Sequence, residues 1–275
     1  MRPEDLEFVA GMARNRAGLM LGAERAFFVE SRLATLARRE GLDSVEALVA
    51  QIRLSPDGAL VRAAVEVLAT PETSFFRDRT PFDHLRDDVL PELSASRAGG
   101  KVRVWCAGCS TGQEPYSLSM MAEEHASRFP KLKLEIIATD LSTRALEKAQ
   151  TGLYTQFEVQ RGLPIRLLIR HFDKVGDNWQ ASPHLRQTVR WGRLNLMNDF
   201  AKLGRFDIVF CRNVLSYFDP IPRANVLRRL AGALADDGCL VLGAGETAGL
   251  PEAFEPARGG AGLHRRNPSY GRAAA

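Results

Sequence analysis

The amino-acid sequence predicts an α/β fold, a doubly wound and mostly parallel sheet preceded by an all-α N-terminal domain. Three observations carry this. Residues 102–117, VRVWCAGCSTGQEPYS, open with strand-forming residues, turn through Gly108 and Gly112, and enter a helix in which Leu118, Met120 and Met121 continue the apolar pattern. Two later segments, LEIIATD at 134–140 and FDIVFC at 206–211, read as further strands, each with a helix after it. Residues 3 to about 68, by contrast, read as helices throughout.

In the N-terminal domain, 1–69, Leu6, Val9, Ala10 and Ala13 share a helix face, and Phe27, Phe28, Leu33, Leu36 and Ala37 continue the period. Val45, Leu48, Val49 and Ile52 follow Ser44, a candidate N-cap. Gly22, Gly41 and Pro56-Asp57-Gly58 separate the segments, which gives four helices. Arg25, Arg32, Arg38 and Arg39 fall on the second, where they form either a solvated face or a docking surface for an acidic helical partner. Residues 70–98 read as a connector and helix, with Thr73, Phe75, Phe76 and Arg77 an odd set to leave as filler, and 94–100 as a loop.

The sheet domain spans 99–266. Its second strand ends in Asp140, and a helix opens at 141–143. Residues 152–192 are less regular and look like an inserted subdomain, while 194–197 should end another strand. The strand at 206–211 runs into Arg212 and Asn213. A helix over 221–235 should stop at Asp236-Asp237-Gly238, followed by a strand at 239–243, a hairpin within 251–266 and a frayed tail, 267–275.

Composition narrows the class. A chain that is 45% hydrophobic and 25% charged can bury a sizeable core. Its net charge of +4 and pI near 9.0 come from scattered arginines, which argues against a nucleic-acid binder and fits an anionic protein surface equally well. No apolar run approaches the ~18 residues of a membrane span, and the N-terminus lacks a signal-peptide pattern, so a cytoplasmic location and no membrane insertion are expected. Cys106 and Cys109 form a CxxC with no second ligand pair, so a reduced pair is expected and no metal.

Ligands of a parallel sheet collect at the C-terminal strand ends, where Glu114, Asp140, Asn195, Arg212 and Asn213 all fall. A glycine turn lets a ligand approach the main chain, and the helix start offers N–H groups to it. Asp140 is placed to accept both hydroxyls of a ribose, or merely to cap the next helix. A phosphate loop would need Gly-Lys-Ser/Thr, whereas Gln113 and Glu114 follow the turn, and Glu114 would repel a pyrophosphate. A cationic, phosphate-free nucleoside suits that carboxylate, and S-adenosylmethionine is one. A competing reading takes Gly108-Cys109-Ser110-Thr111-Gly112 as a G-x-S-x-G elbow with Ser110 as a hydrolase nucleophile and Asp207, Asp219 or His264 as partners. No earlier strand exists to supply its oxyanion loop.

Four stretches resemble the chemotaxis receptor glutamate methyltransferases of the CheR family: TPETSFFRD, VRVWCAGCSTGQEPYS, ATDLSTRALEKAQTGLY and FDIVFCRNVLSYFD. The resemblance covers nearly the whole chain and implies a class I methyltransferase fold with a small β subdomain at about 152–192. It assigns S-adenosylmethionine contacts to Thr73, Arg77, Glu114, Asp140, Asn195, Leu196, Arg212 and Asn213, with Arg77 and Tyr217 beside the transferred methyl and S-adenosylhomocysteine as product. The chain departs at Pro71, where the family typically has an asparagine that contacts the cofactor. Loss of activity with retention of the fold, as a regulatory module, is the alternative this departure supports.

The resemblance further implies that the substrate is the γ-carboxylate of glutamates on the cytoplasmic signalling domain of chemoreceptors. Arg25, Arg32, Arg38 and Arg39 are then the candidates for receptor contact. Some members bind a receptor's C-terminal pentapeptide through the β subdomain; the corresponding stretch here, KVGDNWQAS at 174–182, is short and poor in glycine, so a pentapeptide-independent enzyme is expected. A monomer is expected as well.

Overall fold

Helical periodicity over the first 68 residues resolves into α1 (Pro3–Ala17), α2 (Ala26–Arg39), α3 (Val45–Leu54) and α4 (Ala59–Leu68) in the computed structural model. The structure describes residues 1–69, 72–97, 100–257, 260 and 262–271. Ser44 caps α3 through its hydroxyl, which accepts the Ala47 N–H at 3.1 Å. Val9, Val29, Leu33, Leu48 and Ile52 are buried in the core these four helices share.

A broken helix follows, α5 (Thr80–His84), a π turn (Leu85–Val89) and α6 (Leu90–Ser96). Pro91 in its first turn suits a helix start, and α6 runs on to Ser96, so residues 94–96 are helical where a loop was expected. Then come β1 (Lys101–Ala107), α7 (Gln113–Glu124), β2 (Lys133–Asp140) and α8 (Thr143–Thr151). The insertion holds β3 (Leu153–Thr155), α9 (Gln156–Gln160), α10 (Ile165–His171), β4 (Phe172–Val175), β5 (Asn178–Ala181) and α11 (Pro183–Gln187), with a three-stranded antiparallel sheet ordered β3-β5-β4.

The insertion ends earlier than the expected 192, because β6 (Val189–Arg193) pairs in parallel with β2 in the main sheet. Residues 194–197 therefore lie beyond the strand. β7 (Phe206–Phe210), α12 (Pro220–Ala233), β8 (Leu234–Val241), β9 (Phe254–Pro256) and β10 (Leu263–Arg266) complete the chain, and the main sheet is ordered β6-β2-β1-β7-β8-β10-β9. Its first five strands are parallel, and β9 and β10 form the expected hairpin.

The sequence Asp236-Asp237-Gly238 does not end α12. It forms an irregular stretch inside β8, which pairs Phe206 with Leu234 and Ile208 with Cys239, while Arg97 binds Asp237 and Arg266 binds Asp236. The tail is held as well, by Asn267 N–H to the Ala253 carbonyl and by Arg266 to the Tyr270 carbonyl, so 267–271 is packed down; residues 272–275 lie outside those described.

Alternation along the strands explains why both faces of the sheet are covered. Val102, Val104 and Cys106 of β1 join one core with Ile208 and Phe210, whereas Trp105 and Ala107 join the other with Val209. All four cysteines are buried and reduced, and burial pushes their thiols up, that of Cys239 to about 12.

Candidate functional site

The strand ends of the sheet and the N-terminal helices enclose one cleft. The turn after β1 forms its floor. Gly108 and Gly112 have φ of +83° and +94°, and the Gly108 and Cys109 N–H groups both donate to the Thr139 carbonyl. A Cβ on Gly108 would come within 2.5 Å of Val214, and one on Gly112 within 2.8 Å of Ala149. These glycines also serve close packing of the turn on its neighbours, and the Gly108 and Cys109 N–H groups are spent on the sheet, while Gly108, Cys109 and Ser110 line the cleft.

Asp140 reaches back across this turn. One carboxylate oxygen accepts the Ser110 N–H and the other the Ser142 N–H, each at 2.8 Å. The side chain that caps α8 is that of Ser142, which accepts the Ala145 N–H, while Asp140 holds the Ser142 N–H just ahead of the helix. Burial pushes its carboxyl above the ordinary range, against those two N–H groups.

Glu114, in the first turn of α7, shares a network with Arg212. That guanidinium, 2% exposed, donates to Glu114 at 3.1 Å, to Asp78 at 2.7 Å and to the Arg77 carbonyl at 2.8 Å. It is committed to holding Glu114, the Arg77 carbonyl and the Asp78 carboxylate. Burial raises the Glu114 carboxyl, and Arg212 opposes the shift.

The 76–79 segment is strained: Phe76, Asp78 and Arg79 have φ of +48°, +61° and +38°. Ser117 Oγ accepts the Phe76 N–H, and Arg212 grips the next two residues. Arg77 thereby reaches the cleft, bracing one nitrogen on the Glu72 carbonyl at 2.7 Å. Thr73 lines the same cleft, and Pro71 lies outside the described residues.

The far wall comes from 194–196 and 212–218. Asn195 donates to the Arg16 carbonyl at 2.6 Å and Leu196 is buried. Tyr217 sits in a 3-10 turn (Leu215–Tyr217), and its carbonyl accepts the Met20 N–H at 2.7 Å. Every residue assigned to the cofactor or the methyl group, Thr73, Arg77, Glu114, Asp140, Asn195, Leu196, Arg212, Asn213 and Tyr217, thus lines one cleft.

The four arginines divide. Arg32, Arg38 and Arg39 are exposed on α2, but Arg25 is in a 3-10 turn (Ala23–Arg25) before that helix. Its guanidinium lies 5.4 Å from the Tyr217 ring centre and lines the cleft, which corrects its expected place on α2. Arg32 and Arg39 line a second groove with Arg62, Arg144, Lys148 and Arg193.

The hydrolase reading fails on geometry. Ser110 Oγ is buried with no hydrogen-bond partner among the described residues. Asp207 binds Arg97, Asp219 pairs with Arg14, and His264 Nδ1 faces the Gly262 carbonyl. Among the described residues no base is hydrogen-bonded to the hydroxyl.

Two residues escaped the sequence reading. Asp78 stands inside the quoted TPETSFFRD motif. Glu246 follows β8, where an acid between small residues at a strand end was a usable signal, and its carboxylate accepts the Asn213, Ser216 and Gly243 N–H groups.

The family model described as "CheR methyltransferase, SAM binding domain" matches residues 71–261. The chain is 39% identical over 256 residues to chemotaxis protein methyltransferase Cher2 of Pseudomonas putida, covering 91% of this chain and 93% of that one. It is 40% identical to chemotaxis protein methyltransferase 1 of Pseudomonas aeruginosa, with the same coverage, and 36% identical to the chemotaxis protein methyltransferase of Vibrio parahaemolyticus over 90% of this chain and 91% of the other.

Proposed function

The chain belongs to the CheR methyltransferase family, and from that premise we propose that it methylates glutamate γ-carboxylates on the cytoplasmic signalling domains of chemoreceptors. The observation that carries the reading is the convergence of Arg77, Tyr217, Glu114 and Asp140 on one cleft.

The residues present fit S-adenosylmethionine. Asp140 and Glu114 are carboxylates raised by burial and so call for hydroxyl donors and a cation, which a ribose and an α-ammonium provide. Ser110 Oγ and Asn213 Oδ1 are buried and unpaired among the described residues, leaving polar capacity beside them. The cofactor supplies a sulfonium methyl that an ionised carboxylate attacks directly, and a glutamate of ordinary pKa near ~4.3 is ionised at neutral pH without a base. A cleft with no histidine is consistent with that.

What remains for the protein is placement, and holding two reactants in line is worth as much as ~7–11 kcal/mol. Arg77 can take one carboxylate in a two-pronged grip. Tyr217 orients the attacking oxygen or closes over the methyl. Arg77 aligns more than it neutralises, because overbinding the anion would blunt its nucleophilicity.

Exposed Arg32, Arg38 and Arg39, in or beside the basic groove with Arg62, Arg144 and Arg193, suit an acidic receptor helix. The connection between β4 and β5 is only Gly176 and Asp177, which favours recognition without the receptor pentapeptide.

Incubation with receptor signalling fragments and methyl-labelled cofactor tests the reading. The expected label sits on glutamate and is released as methanol by alkali; alkali-stable label would overturn it. Arg77→Lys should lower kcat/KM by about 10- to 100-fold, since a lysine cannot grip a carboxylate at two points. Wild-type turnover in that variant would remove Arg77 from the role.

A further inference from the structure

The 213–217 segment carries two of the residues read as acting on cofactor and substrate, and its backbone is poorly able to hold itself. Asn213 has φ of +57°, and the segment closes through a single 3-10 turn. β7 ends at Phe210, so the sheet no longer supplies acceptors for its N–H groups.

Glu246 supplies them. Its Oε2 accepts the Asn213 N–H at 2.8 Å and the Gly243 N–H at 2.7 Å, and its Oε1 accepts the Ser216 N–H at 3.0 Å. The residue is 9% exposed, and a cup of backbone N–H dipoles suits an anion. Gly243 completes the fit: a Cβ there would lie 2.6 Å from Asn213 Nδ2 and 2.9 Å from its backbone nitrogen.

We propose that Glu246 is a positioning residue for methyl transfer, its carboxylate fixing 213–217 so that Asn213 and Tyr217 face the cleft. The proposal rests on the roles read above for those two residues. A carboxylate is needed because both oxygens accept. A glutamine turned either way would present its own NH2 to at least one of the N–H donors and leave it buried and unpaired.

The test is Glu246→Gln in the whole chain, alone and combined with Tyr217→Phe, measured for methylation of a receptor signalling fragment and for S-adenosylhomocysteine affinity. Gly243→Ala is the second variant, because it displaces Asn213 while keeping the carboxylate, and it carries the same cycle if Glu246→Gln does not fold. Glu246→Gln should lower kcat about 10- to 100-fold, yet cost less than about threefold more in the Tyr217→Phe background, since groups that act as one unit are not additive. Amide exchange at Asn213, Ser216 and Gly243 should quicken while β1 and β7 stay protected. Wild-type kcat in Glu246→Gln, or the same loss in both Tyr217 backgrounds, would overturn the proposal. If the wild-type enzyme labels no receptor fragment, the substrate reading fails, and unchanged protection at the three amides would independently refute the role of Glu246.

Discussion

Asp5 in α1 and Asp140 at the end of β2 are carboxylates withdrawn from bulk water, and they are held in opposite ways. Asp5 accepts from Arg2 at 2.8 Å and from Arg53 at 3.2 Å, and the Arg2 bond chiefly holds its carboxyl below the usual range. Asp140 accepts from two backbone N–H groups, and burial carries it the other way. An acid closed on its own cations has little left to offer. One oriented by backbone dipoles and facing a cleft still calls for hydrogen-bond donors, and a ligand is what brings them.

Asp140→Ala is the sharpest way to break this contrast. It removes an acceptor for two hydroxyls, each bond to a charged group being worth about 1.5–3 kcal/mol, so affinity for S-adenosylhomocysteine should fall at least about 100-fold. The fold should survive, because Ser142 still caps α8. Calorimetric titration decides it. Affinity within about threefold of wild type would make Asp140 another structural acid.

The sequence made some of this legible and hid the rest for definite reasons. β1, the glycine turn, Asp140 and β7 could be read because alternation and turn chemistry are local. β6 was hidden: Arg190, Trp191, Gly192 and Arg193 break the apolar pattern of an edge strand. Asp236-Asp237-Gly238 looked like a helix stop, whereas in the fold it lies within β8 and is held by pairs distant in sequence, among them Arg97 with Asp237 and Arg205 and Arg266 with Asp236. Arg25 shares helical spacing with its neighbours, but its 3-10 turn aims it at Tyr217. The convergence of Arg212 on Asp78, Glu114 and the Arg77 carbonyl depends on contacts more than ninety residues apart in the chain, which no periodicity reports.

The contrast also has a pH signature. Glu114 is raised by burial and must be ionised to receive an ammonium. In the free protein, lowering the pH through that raised pKa protonates it, so cofactor affinity should fall toward acid, by at most about tenfold per pH unit per proton. The same group affects stability with the opposite sign. Its ionised form is disfavoured in the fold, so it detracts from stability above its raised pKa, and acidification relieves that cost. Titrations from pH 8 to 5 in buffers of different ionisation enthalpy should show protons released on binding at the acid end. Glu114→Gln should bind more weakly and flatten this part of the dependence; an unchanged profile would assign the protons elsewhere.

The smallest effect on the site is expected from Asp5→Asn. Losing the two arginine contacts should lower unfolding free energy by about 1–2 kcal/mol, because Arg2 and Arg53 can turn to water once released. The folded pKa of Asp5 is depressed, so its contribution is present above the ordinary carboxylate range and is lost as pH falls through the lowered value. The difference between variant and wild type in urea unfolding should therefore shrink on acidification below about pH 4. S-adenosylhomocysteine affinity should be unchanged. A variant that also bound the nucleoside poorly would mean that α1 acts on the cleft through its contacts there, such as the Asn195 bond to the Arg16 carbonyl, and that the two carboxylates are not independent after all.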